Sequence, residues 1–252
     1  MPRRTRPAMP LRIASICLPA LALLGCATVP PSQRNPRDPW QRMNRATFGF
    51  DLGFYRHVAI PVVTDYVRIT PDPIRTGIHN FVTNLFYPTV IANALLQGKA
   101  LPFARDIGRF VVNTTVGIGG ILDPATKVGL TYEDRDFGQT FGKWGIPTGP
   151  YLVLPFLGPS DVRDAVGLVP DYLYASPLGY GHYSGQLAIR LGVDSLDVLD
   201  TGVQLLPALR LDLSAYDPYG LARNAYLQQR DFMVNGPQQG GAEQELQQLQ
   251  QQ

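Results

Sequence analysis

Charge and lysine are scarce in this 252-residue chain. Charged residues make up 17% of the sequence and hydrophobic residues 45%, and only three residues are lysines (Lys99, Lys127 and Lys143). This composition is globular but falls below the roughly 25% charge of typical soluble domains, and it is unlike that of disordered acidic or basic proteins. No window holds the clustered Lys/Arg stripe that phosphate backbones require, so nucleic acid is not an expected partner.

Cysteine is also rare, and both cysteines lie near the N-terminus. Cys17 belongs to the 12-residue apolar run Ile13–Leu24, which follows an arginine-rich start and contains Pro19. Such a run is too short to span a bilayer and is typical of a signal-peptide core. The residues that follow it, Leu23-Leu24-Gly25-Cys26, resemble the lipobox of bacterial lipoproteins. An ordinary signal peptide that happens to end in cysteine is the alternative.

Several expectations follow from lipidation of Cys26. Residues 1–25 are then a signal peptide, and removing their four arginines leaves 18 basic against 20 acidic residues, a charge of −2. Two or more acyl chains give a stable membrane anchor. Ala27 follows the cysteine, which resembles the pattern of lipoproteins sent to the outer membrane. With Cys26 lipidated, no disulfide, cysteine nucleophile or thiolate metal site is expected.

Composition divides the rest of the chain into three parts. Residues 26–38 are polar and contain proline, as expected of a tether between lipid and fold. Residues 39–235 have the length of one domain. Residues 236–252 form a tail in which eight of the 16 residues from Pro237 onward are glutamine, so it is expected to be disordered.

Helical spacing of apolar residues predicts an all-α fold for this domain. Sustained alternation with a period of two, the strand signal, is absent. Ser160 with Asp161 is expected to open a short helix, and residues 214–234 form the last candidate. Three further helices are indicated by these apolar sets: Met43, Ala46, Phe50 and Phe54; Ile74, Ile78, Phe81 and Leu85; Phe103, Ile107, Phe110 and Val111.

The stretch from Gln186 to Leu206 has more apolar and fewer polar positions than a typical surface helix. Nearly every position is apolar except a narrow polar strip at helical spacing, so the helix is expected to be buried on most of its circumference, in protein or in lipid. The strip consists of Arg190, Asp194, Asp197, Thr201 and Gln204.

Glycine and proline are abundant, at 43 of the 227 residues from Cys26 onward. Helices are therefore expected to be short and repeatedly broken. The segment Phe137–Ser160 carries one charge, five glycines and four prolines. Its apolarity suggests a membrane, yet irregular backbone at bilayer depth is tolerated only where it lines a cavity or is covered by protein. A soluble loop packed over a core is the alternative.

Templates for catalysis and cofactors do not match. The histidines His57, His79 and His182 form no HExxH or other ligand pair, so no metal is expected. Ser184 lacks the flanking glycines of a GxSxG elbow. Residues 117–120 lack the remaining residues of a dinucleotide loop or a P-loop, so no cofactor is expected and the chain is not predicted to be an enzyme.

Two arginines are candidates for contact with a lipid headgroup. The Arg109 guanidinium, near Asp106 on the same predicted helix, is suited to bidentate contact with a phosphate. Arg105 lies one turn earlier. The alternative is that Asp106 and Arg109 form an i, i+3 pair that only decorates the helix.

Four stretches resemble one family. Together they resemble the MlaA/VacJ family of outer-membrane phospholipid-transport lipoproteins, over nearly the whole folded part. Gln41 departs from the family where an acidic residue is common, and Pro147 interrupts its glycine-rich turn. The stretches are DPWQRMNR from Asp38 with Phe48 and Phe50; NALLQG from Asn93 followed by RFVVNT from Arg109; DFGQTFG from Asp136 running into GPYLVLP; and YDPY from Tyr216 through Arg230-Asp231-Phe232.

The resemblance implies a ring of short helices in the periplasmic leaflet of the outer membrane, around a central amphipathic channel. Members are thought to remove phospholipids from the outer leaflet and pass them to the periplasmic carrier MlaC while docked beside trimeric porins. The rival functions are a porin scaffold without a lipid path and a phospholipase. The turn Gly142–Pro150 resembles the family's hairpin beside the channel mouth, and its implied gating residues are Gly142, Lys143, Trp144, Gly145, Pro147 and Gly149.

Overall fold

The structure is a computed structural model that describes residues 35–174 and 187–236. Cys26, the signal peptide, His182, Ser184 and the Gln-rich tail lie outside the described residues. The described helices are α1 (Gln41–Phe54), α2 (Ile60–Ile69), α3 (Asp72–Leu96), α4 (Ala100–Thr115), α5 (Pro124–Lys127), α6 (Phe137–Lys143), α7 (Val162–Tyr174), α8 (Leu187–Ser214) and α9 (Pro218–Asn235).

The expectation of short, repeatedly broken helices is wrong for α3 and α8, which are long and continuous. A π-helical turn, Tyr55–Ala59, joins α1 to α2 without leaving helical backbone angles. The helix α3 has 25 residues and contains Pro88, and α8 has 28 residues and contains Pro207. Proline removes one backbone hydrogen bond and bends a helix, but neighbouring helices can hold the continuation in place.

Glycine likewise serves packing inside a long helix. A Cβ atom added to Gly202 of α8 would lie 2.6 Å from Cγ2 of Val63 on α2. The absence of a side chain therefore lets these two helices approach closely, as small residues do between membrane helices.

A two-stranded hairpin interrupts the helical fold. Strands β1 (Tyr151–Leu154) and β2 (Gly158–Asp161) pair antiparallel, with Tyr151 opposite Asp161. The sequence did not predict this hairpin, because four-residue strands are too short to show alternation and β2 reads GPSD. Ser160 consequently lies in a strand, and α7 begins only after Asp161, whose Oδ1 accepts from the Asp164 backbone N–H (2.8 Å).

A buried asparagine attaches the hairpin to α1. The Asn44 side-chain amide donates to the Tyr151 carbonyl (3.0 Å), and its Oδ1 accepts from the Val153 N–H (3.0 Å). One side chain thus pairs the free edge of β1, which would otherwise hold unpaired backbone groups in the interior. Asp51, two turns further along α1, accepts from the Phe156 N–H (2.8 Å).

The apolar core is small and lies at this junction. Phe48 of α1, Tyr151 and Val153 of β1, and Tyr219 of α9 pack together with Ala222 and Leu227. The rings of Phe48 and Tyr219 meet edge to face with centroids 5.7 Å apart. This cluster joins the N-terminal helix, the hairpin and the last helix.

Elsewhere the usual placement of polar and apolar residues is reversed. Among the described residues, fifteen polar or charged side chains are buried against thirteen hydrophobic ones. On α4 the buried residues are Asp106, Arg109 and Asn113, whereas Ile107 and Val111 are 40% and 51% exposed. An aqueous environment alone does not favour this arrangement, because the arrangement exposes apolar side chains and buries charged ones.

The apolar exterior does not include a spanning segment. Within residues 35–174 and 187–236, no helix combines the length and apolarity needed to cross a membrane.

Candidate functional site

Three cavities adjoin one another along the inward side of α3. The central cavity is about 190 Å³ and lies among α3, α4 and the 123–132 segment. A second, of about 220 Å³, lies between α3 and α8 and shares His79 with the first. The third, of about 660 Å³, lies beside the start of α3 and shares Asn80 and Asp123 with the central cavity. Because they share lining residues, the cavities form a series.

A polar face of α3 lines this series of cavities. Its members recur at helical spacing, so they share one side of the helix. They are Asp72, Arg75, Thr76, His79, Asn80, Thr83, Asn84 and Tyr87.

His79 and Asp200 join α3 to α8 across the second cavity. His79 Nδ1 lies 2.8 Å from Asp200 Oδ2, and Gln204 Nε2 lies 3.5 Å from the same nitrogen. The polar strip predicted on α8 therefore contributes Gln204 to a cavity wall, and its neighbour Asp200 makes the closest contact.

The same strip holds Asp194 and Asp197. Burial, followed by the nearby charges of Asp200 and Asp194, raises the pKa of Asp197. The predicted member Arg190 has a side chain outside the described part of the structure.

Arg109 is bonded on several sides in the wall of the central cavity. Its guanidinium donates to Thr126 Oγ1 (2.7 Å), Asp123 Oδ2 (2.7 Å) and the Leu130 carbonyl. Burial disfavours the charged form of Asp123, but hydrogen bonds from Thr126, Arg109 and Asn113 outweigh it and lower the pKa to about 2. The arginine therefore organises the cavity wall, and its partner is Asp123 rather than Asp106.

Asp106 belongs to a second network beside this cavity. It is fully buried, pairs with the buried Arg135, and accepts from the Tyr87 hydroxyl (3.2 Å). Arg105 pairs with Glu133 through its Nη1 (2.8 Å), and Glu133 also pairs with Arg135. Both arginines predicted to contact a headgroup thus have carboxylate partners here. Their contact with lipid stays a prediction.

The predicted turn follows α6 and has a defined geometry. Gly145 has φ +87°, its N–H donates to the Gly142 carbonyl (3.0 Å), and the Ile146 N–H donates to the Phe141 carbonyl (2.9 Å). This pair of bonds is the Schellman ending of a helix, which favours glycine. Trp144 lies beside it, 54% exposed, with its indole N–H donating to the Leu96 carbonyl (3.0 Å).

Other predicted gating residues lie close to α7 or α9. A Cβ on Gly142 would come within 2.8 Å of Arg163 Nη1 and Val234 Cγ1, and one on Gly149 would lie 3.2 Å from Val162 Cβ. Lys143 is the last residue of α6, and Pro147 lies between the two packed glycines. The turn is thus attached at both ends, and gating stays a prediction.

Comparison with known proteins identifies the family. The sequence profile described as MlaA lipoprotein matches residues 36–233. The chain belongs to the MlaA lipoprotein family.

Relatives of the chain are similar over most of their length. An intermembrane phospholipid transport system lipoprotein MlaA of Escherichia coli strain K12 is 33% identical over 239 residues, covering 90% of each chain. The Haemophilus influenzae lipoprotein of the same description is 31% identical over 230 residues, covering 88% of this chain and 90% of its own. An uncharacterised Rickettsia typhi protein is 33% identical over 80% of this chain and 79% of its own.

A solved structure described as "Structural basis for maintenance of bacterial outer membrane lipid asymmetry" has a similar fold. The TM-score is 0.68 with 33% identity, over 80% of this chain and 100% of that one. The all-α prediction is confirmed to the extent that the fold is predominantly helical and similar to this structure. The two-stranded hairpin was not predicted.

The polar face of α3 went unrecognised at the level of sequence. Its signal was present, since polar residues recur at helical spacing from Asp72 to Asn84 between the apolar positions. What the sequence lacked was any sign that this face points inward. In the described residues of this MlaA family member, no group of three or more His, Cys, Asp or Glu side chains could hold a metal ion.

Proposed function

We propose that this chain is an outer-membrane lipoprotein that removes mislocalised phospholipids from the outer leaflet and so maintains lipid asymmetry. The observation that carries the proposal is the placement of residues: polar side chains line cavities between the helices, while many large apolar side chains are exposed. Its relatives are described as lipoproteins of an intermembrane phospholipid transport system.

Physical chemistry supports a lipid path over a bare scaffold. A charged headgroup left in hydrocarbon costs several kcal/mol, so a lipid crossing the fold needs polar walls for its head and apolar surface for its chains. The polar face of α3 supplies the first. The exposed apolar side chains of α4 and of the segment after it, among them Val111, Val116 and Leu122, supply the second.

The proposal extends to partners and position. The chain is anchored by lipid on Cys26 in the periplasmic leaflet, lies beside a trimeric porin, and delivers phospholipid to the periplasmic carrier MlaC. The exposed apolar residues support contact with lipid or with another membrane protein, since apolar patches of this kind are rare on soluble monomers.

Reconstitution of the full-length lipoprotein with labelled phospholipid tests this function. Intact lipid that is bound and transferred is the expected result. Release of fatty acid would make the protein a phospholipase, and absence of both binding and transfer would leave a porin scaffold.

A steric variant connects the activity with the cavities. Thr83 lines the central cavity, so Thr83→Trp should block passage and lower transfer. Val62→Trp is the matched control because Val62 is 53% exposed on α2 and lines none of the three cavities. Equal transfer by both variants, at equal protein level, would contradict a path through the central cavity.

A further inference from the structure

The segment Val116–Leu122, called the lip here, is an apolar loop with an unusual backbone. Val116, Ile118, Ile121 and Leu122 are 67%, 65%, 47% and 52% exposed. Ile118 has φ +56°, a conformation that is costly for a β-branched residue. Such strain persists only where the surrounding structure enforces it, and it clusters at functional sites.

The polar face of α3 enforces this conformation. The Asn84 amide donates to Thr114 Oγ1 (3.0 Å) and reaches the Gly119 carbonyl (3.5 Å), while the Asn80 amide donates to the Ile121 carbonyl (3.1 Å). Gly120 has φ +92°, and a Cβ there would collide with the Asn84 side chain. The lip is therefore held against α3 by its backbone, while its apolar side chains stay largely exposed.

The largest of the three cavities lies between the lip and the start of α3. Pro73, Val116, Ile121 and Leu122 give it apolar walls, and Lys127 lies at its edge. Because it shares Asn80 and Asp123 with the central cavity, it is the apolar end of a series whose next member is polar. This change from apolar to polar matches the two halves of a phospholipid.

Of the basic side chains that line the three cavities, Lys127 is the one without an ion pair to a described residue. Arg75 is bonded to Asp72 and to the carbonyls of Val67 and Thr70, Arg109 to Asp123, and His79 to Asp200. These pairs also neutralise Asp72 and Asp123, the two carboxylates that line the cavity. Lys127 is exposed, and within residues 35–174 and 187–236 it has no ion pair, so its ammonium is available to an anion at this edge.

We infer that the lip and Lys127 form an entry site for a glycerophospholipid, with an acyl chain against Ile121 and Leu122 and the phosphate on Lys127. This inference rests on the proposed function and adds where the lipid enters. Lysine binds phosphate as a point charge, so the site requires an anionic phosphodiester and accepts varied headgroups.

Photo-labelling of the full-length protein in detergent tests the site. The probes are a phosphatidylglycerol with a diazirine on one acyl chain and the diacylglycerol with the same chains, and labelled peptides are mapped by mass spectrometry. The phosphatidylglycerol should label residues 116–127. Lys127→Gln should lower that labelling by about fivefold, the effect of one basic residue near an anionic lipid. Diacylglycerol labelling should stay unchanged.

Two further variants serve as controls. Lys127→Arg keeps the charge and should restore labelling. Arg56→Gln removes one exposed cation that lines none of the three cavities and should behave as the wild type.

Each contrary result has a distinct meaning. Unchanged phosphatidylglycerol labelling in Lys127→Gln overturns the phosphate assignment. Equal loss with both probes also overturns it, because the substitution then acts on shape and not on charge. An unlabelled lip in a protein that still transfers phospholipid overturns the entry site and leaves the proposed function standing. An unlabelled lip without transfer contradicts both.

Discussion

The cost of removing one member of an ion pair in this protein is expected to increase with the burial of the pair. Asp106 and Arg135 are 0% and 2% exposed, whereas the side chains of Arg45 and Asp217, which also form an ion pair, are 45% and 44% exposed. Removing one member of a buried pair leaves an uncompensated charge, but solvent screens an exposed one.

Asp106→Asn should therefore cost much more stability than Asp217→Asn. We expect a loss of about 3 kcal/mol or more for the buried pair and about 1 kcal/mol or less for the exposed one. Denaturant unfolding of both variants in the same detergent measures the difference. Equal losses would mean that water reaches the Asp106 network.

Asp171 gives the protein a predicted pH dependence. It accepts from the Phe137 N–H (3.2 Å), and burial, followed by the charge of Asp136, raises its pKa to about 7. An unfolded aspartate titrates near pH 3.9, so the folded state holds the proton more tightly. The stability that this group contributes is fully present below about pH 4 and is lost as the pH rises through 7.

Asp171→Asn should remove the loss of stability at rising pH, while its side-chain oxygen can still accept from the Phe137 N–H. At pH 8 we expect the variant to be more stable than the wild type by about 1–2 kcal/mol, after allowance for solvent screening. Unfolding curves between pH 5 and 8 provide the measurement. A smaller slope should persist, because burial also raises the pKa of Asp161, to about 6. Parallel curves for the two proteins would contradict the assignment to Asp171.

At the scale of elements, several helices bury polar residues and expose apolar ones. On α8, Val198 is 69% exposed, while burial raises the pKa of Asp197, the residue before it. On α1 the same holds, with Asn44 and Asp51 buried and Phe50 55% exposed. Packing between these elements therefore depends on hydrogen bonds and ion pairs as well as on apolar contact.

The turn after α6 offers a prediction at this scale. A Cβ on Gly145 meets nothing within 4 Å, so Gly145→Val should not clash with a neighbour. The substitution should lower the free energy of unfolding by about 1 kcal/mol or more through backbone strain alone. Gly49→Val is the control, because Gly49 is also open but lies in helical backbone. If the turn gates the path, surface-exposed phospholipid changes in Gly145→Val cells at normal protein level. Unchanged surface lipid at that level would remove the gate and leave a static Schellman turn.

At the scale of the whole molecule, the proposed membrane anchor is a lipid on Cys26. Two or more acyl chains hold a protein stably at a membrane where one does not. Many apolar side chains are exposed, and within the described residues no helix is long and apolar enough to cross a membrane.

Cys26→Ala should remove that anchor. The variant protein is expected either to keep its signal peptide or to leave the outer membrane. Mass spectrometry of the N-terminus and membrane fractionation provide the measurement, with Cys17→Ala as the matched control inside the apolar run. An unmodified Cys26 in a functional protein would contradict the lipoprotein assignment.

Several helices and the family could be predicted from the sequence alone. Apolar spacing locates α1, α3, α4, α8 and α9, because a helix places every third or fourth residue on one side whatever surrounds it. The motifs that begin at Asp38, Asn93 and Asp136 indicate the family, since long sequence motifs of unusual composition rarely match a family by chance. Pro88 lies inside the continuous helix α3, because a proline's effect depends on which neighbours support the helix.

The side of each helix that faces the interior became apparent only from the way the helices pack together. The periodicity of a sequence shows that two faces of a helix differ in polarity, but it does not show which face points inward. The polar residues Asp106, Arg109 and Asn113 therefore looked like a solvent-exposed face, whereas they are buried. Contacts such as His79 with Asp200 and Asn44 with the hairpin join residues 121 and 107 positions apart. No local pattern encodes such pairs, since each side chain gains its partner only when the helices have packed.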